Sequence, residues 1–254
     1  MKMTNTENNG PALPPGAEFG PETGGDGERI ACLADFMLPE RYATLRRAVA
    51  MRTRYMTVLA ENMFHGQNAA ALIRHCEAFG LQEMHTIETL CRFEPSAAVV
   101  RGTDRWVDVR RHRSTASAGG GLRGGGSRLG TLRAAGYRIV ATTPHREDCT
   151  PETFDVTRGP FALVFGTEHA GISDEIVASA DEFLRIPMCG LVESLNVSAS
   201  AAILIYELSE RVRRTVPDWR LTPVEQAGVL CRWMRRSVKD SEEILKRKFG
   251  EEIR

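Results

Sequence analysis

Between residues 56 and 188 short runs of strand character recur, and most are separated by stretches whose apolar residues fall at helical spacing. The strand-like runs are MTVLAE (56–61), EMHTIE (83–88), RWVDVR (105–110), YRIVATT (137–143), FALVFG (161–166) and EFLRIPM (182–188). Strands this short, interleaved with helices, predict an α/β fold: a parallel sheet with helices on both faces, because parallel neighbours must be joined by crossovers. The intervening segments supply them. GQNAAALIRHCEAFG (66–80) places Leu72, Ile73, Cys76 and Phe79 on one stripe and ends at Gly80. RLGTLRAAG (128–136), SDEIVASA (173–180, with Ser173 as the candidate N-cap) and a long segment from Leu195 to Arg214 read as further helices.

Outside this core the character changes. Residues 1–28 are rich in Gly, Pro, Asn and Glu and predict a disordered tail. Residues 29–54 form a basic helical segment in which Pro39 opens a helix, and residues 215–254 read as a basic extension of two amphipathic helices. Residues 55–214 form the main domain, interrupted at 114–130 by a Gly/Ser loop expected to stay out of any core.

Lys plus Arg and Asp plus Glu both total 33, so net charge alone names no partner. The distribution is more informative: residues 41–54 hold five arginines and no acid, and residues 101–128 hold seven arginines against two aspartates. Such clusters fit a polyanion-binding face, with solvated helix surfaces as the plain alternative. Six scattered cysteines without a C-x-x-C pair fit free thiols in a reducing compartment, and no spacing of His or Cys suggests a metal site. With no membrane-length apolar run and no signal pattern, a cytoplasmic protein without membrane or metal is expected.

The stretch LVFGTEHAGIS (163–173) nearly has the spacing of a phosphate-binding loop, but Ile172 stands where the lysine belongs. A triphosphate site needs that lysine. A Gly-bounded turn at the C-terminal end of a strand is nonetheless where open α/β sheets bind ligands, and a turn with no ligand is the alternative.

Three segments in order, AENMFHGQNAAALIRHCEAFG (60–80), LVFGTEHAGISDEIVASADEFLRIPM (163–188) and ESLNVSASAAILIYEL (193–208), resemble the three motifs of the SpoU/TrmH family of SPOUT RNA 2'-O-ribose methyltransferases. The resemblance covers nearly all of residues 39–214. It implies a deep trefoil knot in the C-terminal part of the sheet, S-adenosylmethionine as cofactor, a homodimer with the active site at the subunit interface, and tRNA as partner. The short basic N-terminal helix and the basic tail are most similar to members that methylate the D-loop guanosine ribose of tRNA at position 18. An rRNA 2'-O-methyltransferase of the same family, a non-catalytic RNA-binding protein that keeps the fold, and a nucleotide hydrolase are the alternatives.

By the same resemblance Asn68 and Arg74 are the first-motif pair, with Arg74 orienting the ribose hydroxyl and stabilising its developing charge. Glu168 would help form the substrate and cofactor site. Ser194 and Asn196 would position the arginine and contact the cofactor, while the backbones at Gly166, Ile186 and Leu195 would line its pocket. His169 and Ala170 depart from the basic and aromatic residues that the family often carries in this turn. The basic clusters offer Arg41, Arg46, Arg47, Arg105, Arg110, Arg232 and Arg235 as contacts to the RNA backbone, which give affinity and register but little sequence choice.

Overall fold

A computed structural model describes Gly16 and residues 18–113, 129–146, 148–167 and 170–250. The chain divides into two compact units, residues 51–220 and a second formed by residues 1–50 with 221–254.

Among the described residues of the larger unit, six parallel strands form one sheet in the order β3-β2-β1-β5-β4-β6. They are β1 (Met56–Glu61), β2 (Glu83–Glu88), β3 (Asp108–Arg113), β4 (Arg138–Thr142), β5 (Phe161–Phe165) and β6 (Glu182–Leu184). β1 and β5 are central and buried along their whole length, as expected of strands covered on both faces. One face carries Val58, Leu163 and Leu184 beneath α3 (Gly66–Ala78) and α7 (Val197–Thr215). Ala69 and Ala70 on α3, buried alongside Ala201 of α7, let the two helices approach closely. The other face carries Leu59, Ile139 and Val164 beneath α5 (Gly130–Ala134) and α6 (Asp174–Ser179). A short helix, α4 (Ala97–Val100), packs on α3.

Gly80 ends α3 with φ +78°, in the left-handed region, and a Cβ there would lie 2.6 Å from the Met51 carbonyl oxygen. Only glycine fits both constraints.

The smaller unit is helical: α1 (Asp26–Ala34), α2 (Pro39–Val49), α8 (Pro223–Ser237) and α9 (Ser241–Phe249). α8 packs against α1 and α2, burying Trp233, Met234 and Leu230 with Ile30, Leu33 and Leu45. Thr222 and Glu225 close a capping box at the start of α8.

Several sequence expectations are corrected here. The third strand lies at 108–113, three residues later than RWVDVR, and is an edge strand with charged side chains that pair with β2. β6 ends at Leu184, short of Met188. The tail is not wholly unstructured to residue 28: Pro21–Thr23 forms a 3-10 turn and α1 starts at Asp26. Leu129, assigned to the Gly/Ser loop, is buried against α5 and the sheet; residues 114–128 lie outside the described residues.

Candidate active site

The C-terminal edge of the sheet gathers the three motif segments. At the end of β1, Asn62 adopts a left-handed backbone, φ 47°. Its side-chain oxygen accepts hydrogen bonds from the Thr89 and Leu90 amides at 2.9 and 2.8 Å, tying β1 to the end of β2. Beside it the buried Glu61 carboxylate accepts from the Ser173 amide at 2.8 Å. Ser173 therefore stands at the N-cap position of α6 as expected, but its hydroxyl caps nothing; the capping oxygen comes from β1.

β5 ends at Phe165 and the chain turns at Gly166. Thr167 and Gly171 exchange backbone hydrogen bonds at 2.8 and 3.1 Å, closing the turn. A Cβ on Gly166 would lie 2.1 Å from the Gly171 carbonyl oxygen, so the turn folds back on the strand only because this residue has no side chain. Glu168, the second-motif carboxylate, lies outside the described residues.

The third segment leads into α7. Asn196 is its N-cap: the side-chain oxygen accepts from the Ser198 amide at 2.8 Å, while Nδ2 makes a long 3.4 Å contact to Oδ1 of Asn68. Asn68 is buried, at 8% exposure, in the first turn of α3. The structure thus joins Asn68 and Asn196, 128 residues apart in sequence.

Gly166, Ser194 and Leu195 line a cleft of about 480 Å³. Ile186 lines a smaller recess of about 70 Å³ beside it, with Leu184, Met188 and Leu204. Thr142 and Thr143, at the end of β4, line both and were missed in the sequence; the signal was available, since β4 neighbours β5 and the C-terminal ends of such strands face ligands. The cleft lining also includes His145, Arg146, Asp174 and Glu193.

Arg74 is not among the cleft-lining residues. It is exposed on α3 and donates to the Val99 carbonyl at 3.1 Å. His75, its neighbour, has a lowered pKa, first through burial; a hydrogen bond that its ring donates to the Ser198 backbone opposes the shift, and the nearby Arg74 charge adds to it. Cys76 on the same helix is fully buried, which pushes its thiol up to about 12 and leaves it no nucleophile at neutral pH.

The arginines assigned to an RNA face divide. Arg46 pairs with Glu18 at 2.9 Å, Arg110 with Glu83 at 2.8 Å and Arg235 with Glu242 at 2.7 Å, so part of their charge is neutralised within the chain. Arg41, Arg47 and Arg105 are exposed, and Arg232 is half-buried. Glu83 is the centre of a separate cluster on β2 and β3 that includes His85 and a His85–His112 stack. Burial works to raise its pKa, but hydrogen bonds and charge from His85 and Arg110 outweigh that and lower it to about 2.

The cleft suits a purine nucleoside with an amino-acid end. Its volume lies in the range of about 300–1,000 Å³ typical of small-molecule sites. Leu184, Ile186, Met188 and Leu204 in the adjoining recess offer apolar contact to a base, and side chains of both charge signs in the cleft match a zwitterion. It does not suit a triphosphate: two carboxylates line it, and residues 3–238 contain no lysine at all. Among the described residues no group of three or more His, Cys, Asp or Glu is arranged to hold a metal ion, and no helix is long and apolar enough to cross a membrane.

The chain is similar to known proteins. Residues 55–206 match the model of the SpoU rRNA methylase family. The chain is 30% identical over 213 residues to the tRNA (guanosine(18)-2'-O)-methyltransferase of Borreliella burgdorferi, covering 84% of this chain and 93% of that one. It is 34% identical to the enzyme of the same name from Escherichia coli, over 67% of this chain and 70% of the other. The crystal structure of the A. aeolicus TrmH/SpoU tRNA modifying enzyme superposes with a TM-score of 0.65 at 26% identity, covering 79% of this chain and 98% of that one. With the three motif segments at one sheet edge and the match spanning residues 55–206, the chain belongs to the SpoU rRNA methylase family.

Proposed function

We propose that the protein transfers a methyl group from S-adenosylmethionine to the 2'-hydroxyl of guanosine 18 in tRNA. The observation that carries this reading is the Asn68–Asn196 contact, which brings the first and third motifs together beside the cleft lined by Gly166, Ser194 and Leu195. The names of the relatives supply the nucleotide.

The cofactor brings a methyl on a sulfonium, whose departure leaves a neutral thioether, so the protein's task is alignment and control of the hydroxyl proton. Leu184, Ile186 and Leu195 would hold the adenine, and Thr142, Thr143 and the backbone at Gly166 the ribose and tail. Arg74 would orient the 2'-oxygen and stabilise its developing negative charge; a guanidinium with pKa above about 12 is better suited to that than to removing a proton. Asn196, fixed by its capping bond and by Asn68, would hold the site's rim in register, with Ser194 and Glu168 completing it.

The same reading includes a knotted C-terminal half, a homodimer and a cytoplasmic location with tRNA. In favour of the dimer, Arg74 is not among the residues that line its own chain's cleft, and in a homodimer the arginine would act at the cleft of a second copy. Leu191, Val192, Ile203 and Tyr206, on α7 and the segment before it, leave apolar surface exposed for that copy. Arg41, Arg47 and Arg105 would contact the RNA backbone. The test is methyl transfer from labelled cofactor to unmodified tRNA, with the product ribose mapped by mass spectrometry. A methyl on rRNA alone would retain the chemistry and replace the substrate.

A further inference from the structure

The cleft is amphipathic. Leu184, Ile186 and Met188 line the recess, and Phe183 and Val177 line the cleft beside it together with Arg146. The Arg146 guanidinium lies 4.1 Å from the centroid of the Phe183 ring. That ring is itself buried at 7% exposure, so it provides a fixed platform for an otherwise exposed side chain.

Other arginines around β4 and β6 are bound to acids: Arg133 to Asp181 at 3.0 Å, Arg138 to Glu182, and Arg158 to Glu182 at 3.3 Å. Arg146 pairs with no carboxylate among the described residues. A guanidinium held over a ring by a cation–π contact keeps N–H groups available, and its planar fork can receive a planar anion bidentately. Asp174 and Glu193 line the same cleft and offer negative charge to a neighbouring cation.

We propose that Arg146, held over Phe183, binds the carboxylate of the methionine end of S-adenosylmethionine, with Asp174 and Glu193 facing its ammonium group. This rests on the cofactor reading above and goes beyond it by assigning the amino-acid end of the ligand to named side chains. Arg146 is a binding residue, distinct from the groups assigned to the ribose hydroxyl.

The test is calorimetric binding of two probes to the full chain: S-adenosylhomocysteine, which has the carboxylate, and 5'-methylthioadenosine, which lacks the whole amino-acid end. Arg146→Ala is expected to weaken S-adenosylhomocysteine by about tenfold or more, the range of a lost charge-assisted pair, and methylthioadenosine by less than about twofold. Arg146→Lys is expected to recover part of the loss. Because Arg146 is exposed, thermal melting should confirm that both variants fold. Equal loss of both probes would mean that Arg146 only shapes the pocket, and unchanged affinity for both with weaker tRNA binding would move it to an RNA phosphate; either overturns the assignment. If the unmutated chain binds neither probe, the cofactor reading itself fails, which is distinguishable from loss of the Arg146 assignment alone.

Discussion

Asn196 performs two tasks with one side chain: its oxygen caps α7 and its nitrogen reaches Asn68. The substitutions separate them. Asn196→Asp keeps the capping oxygen and loses the donor, so stability should hold while methyl transfer falls. Asn196→Ala loses both and should also cost about 1 kcal/mol of stability, the usual value of an N-cap. Equal melting temperatures for Asn196→Ala and the unmutated protein would contradict the capping role. Glu83 gives a pH signature. Its folded pKa of about 2 lies below the ordinary 4.5, so the stability from its ionised form is complete above about 4.5 and is lost as pH falls towards 2. Denaturant midpoints of Glu83→Gln should therefore fall below those of the unmutated protein at pH 7, by a margin that shrinks through this window. A margin independent of pH would show that Glu83 contributes through packing instead.

At the scale of elements, Gly166 is the position where substitution does most. A methyl there meets the Gly171 backbone at 2.1 Å, which no rotamer change relieves. Gly166→Ala should displace the turn and abolish binding of S-adenosylhomocysteine, and retained affinity would show that the turn is not part of the pocket. In the helical unit, Thr222→Ala removes one half of the capping box of α8 and should cost about 1 kcal/mol. The elements legible in the sequence are those whose burial is continuous. MTVLAE and FALVFG, buried along their whole length, sit where their apolar runs predict. β3 was displaced in the reading because RWVDVR carries the apolar residues, whereas the pairing edge is DVRRHR, stabilised by salt bridges to β2 that no hydrophobic pattern reveals. The helical segment expected from residue 29 starts at Asp26; the first turn of α1, Asp26–Gly27–Glu28, looks like loop composition, and the helix is sustained by packing on α8, about 200 residues away in sequence.

For the whole molecule, the sequence carried the motif segments but not how they assemble. Gly166, Ser194 and Leu195 were placed by resemblance and share one cleft. Arg74 was assigned with them and is not among the residues that line that cleft; it is exposed on α3 and donates to the Val99 carbonyl. That separation makes oligomeric state a prediction with consequences. Sedimentation equilibrium should give about twice the 28.1 kDa chain mass. Ile203→Glu, at an exposed apolar position of α7, should yield a folded monomer that still binds S-adenosylhomocysteine and has lost methyl transfer. An active monomer would remove the need for a second copy's Arg74.

The measurement closest to the central claim is transfer of labelled methyl from S-adenosylmethionine to an unmodified tRNA transcript, followed by mass-spectrometric mapping, for the unmutated protein and Arg74→Ala in parallel. The account predicts a single 2'-O-methylguanosine at position 18 with the unmutated protein and none with Arg74→Ala, while both bind S-adenosylhomocysteine equally. Transfer to another nucleotide, or undiminished transfer by Arg74→Ala, would contradict it.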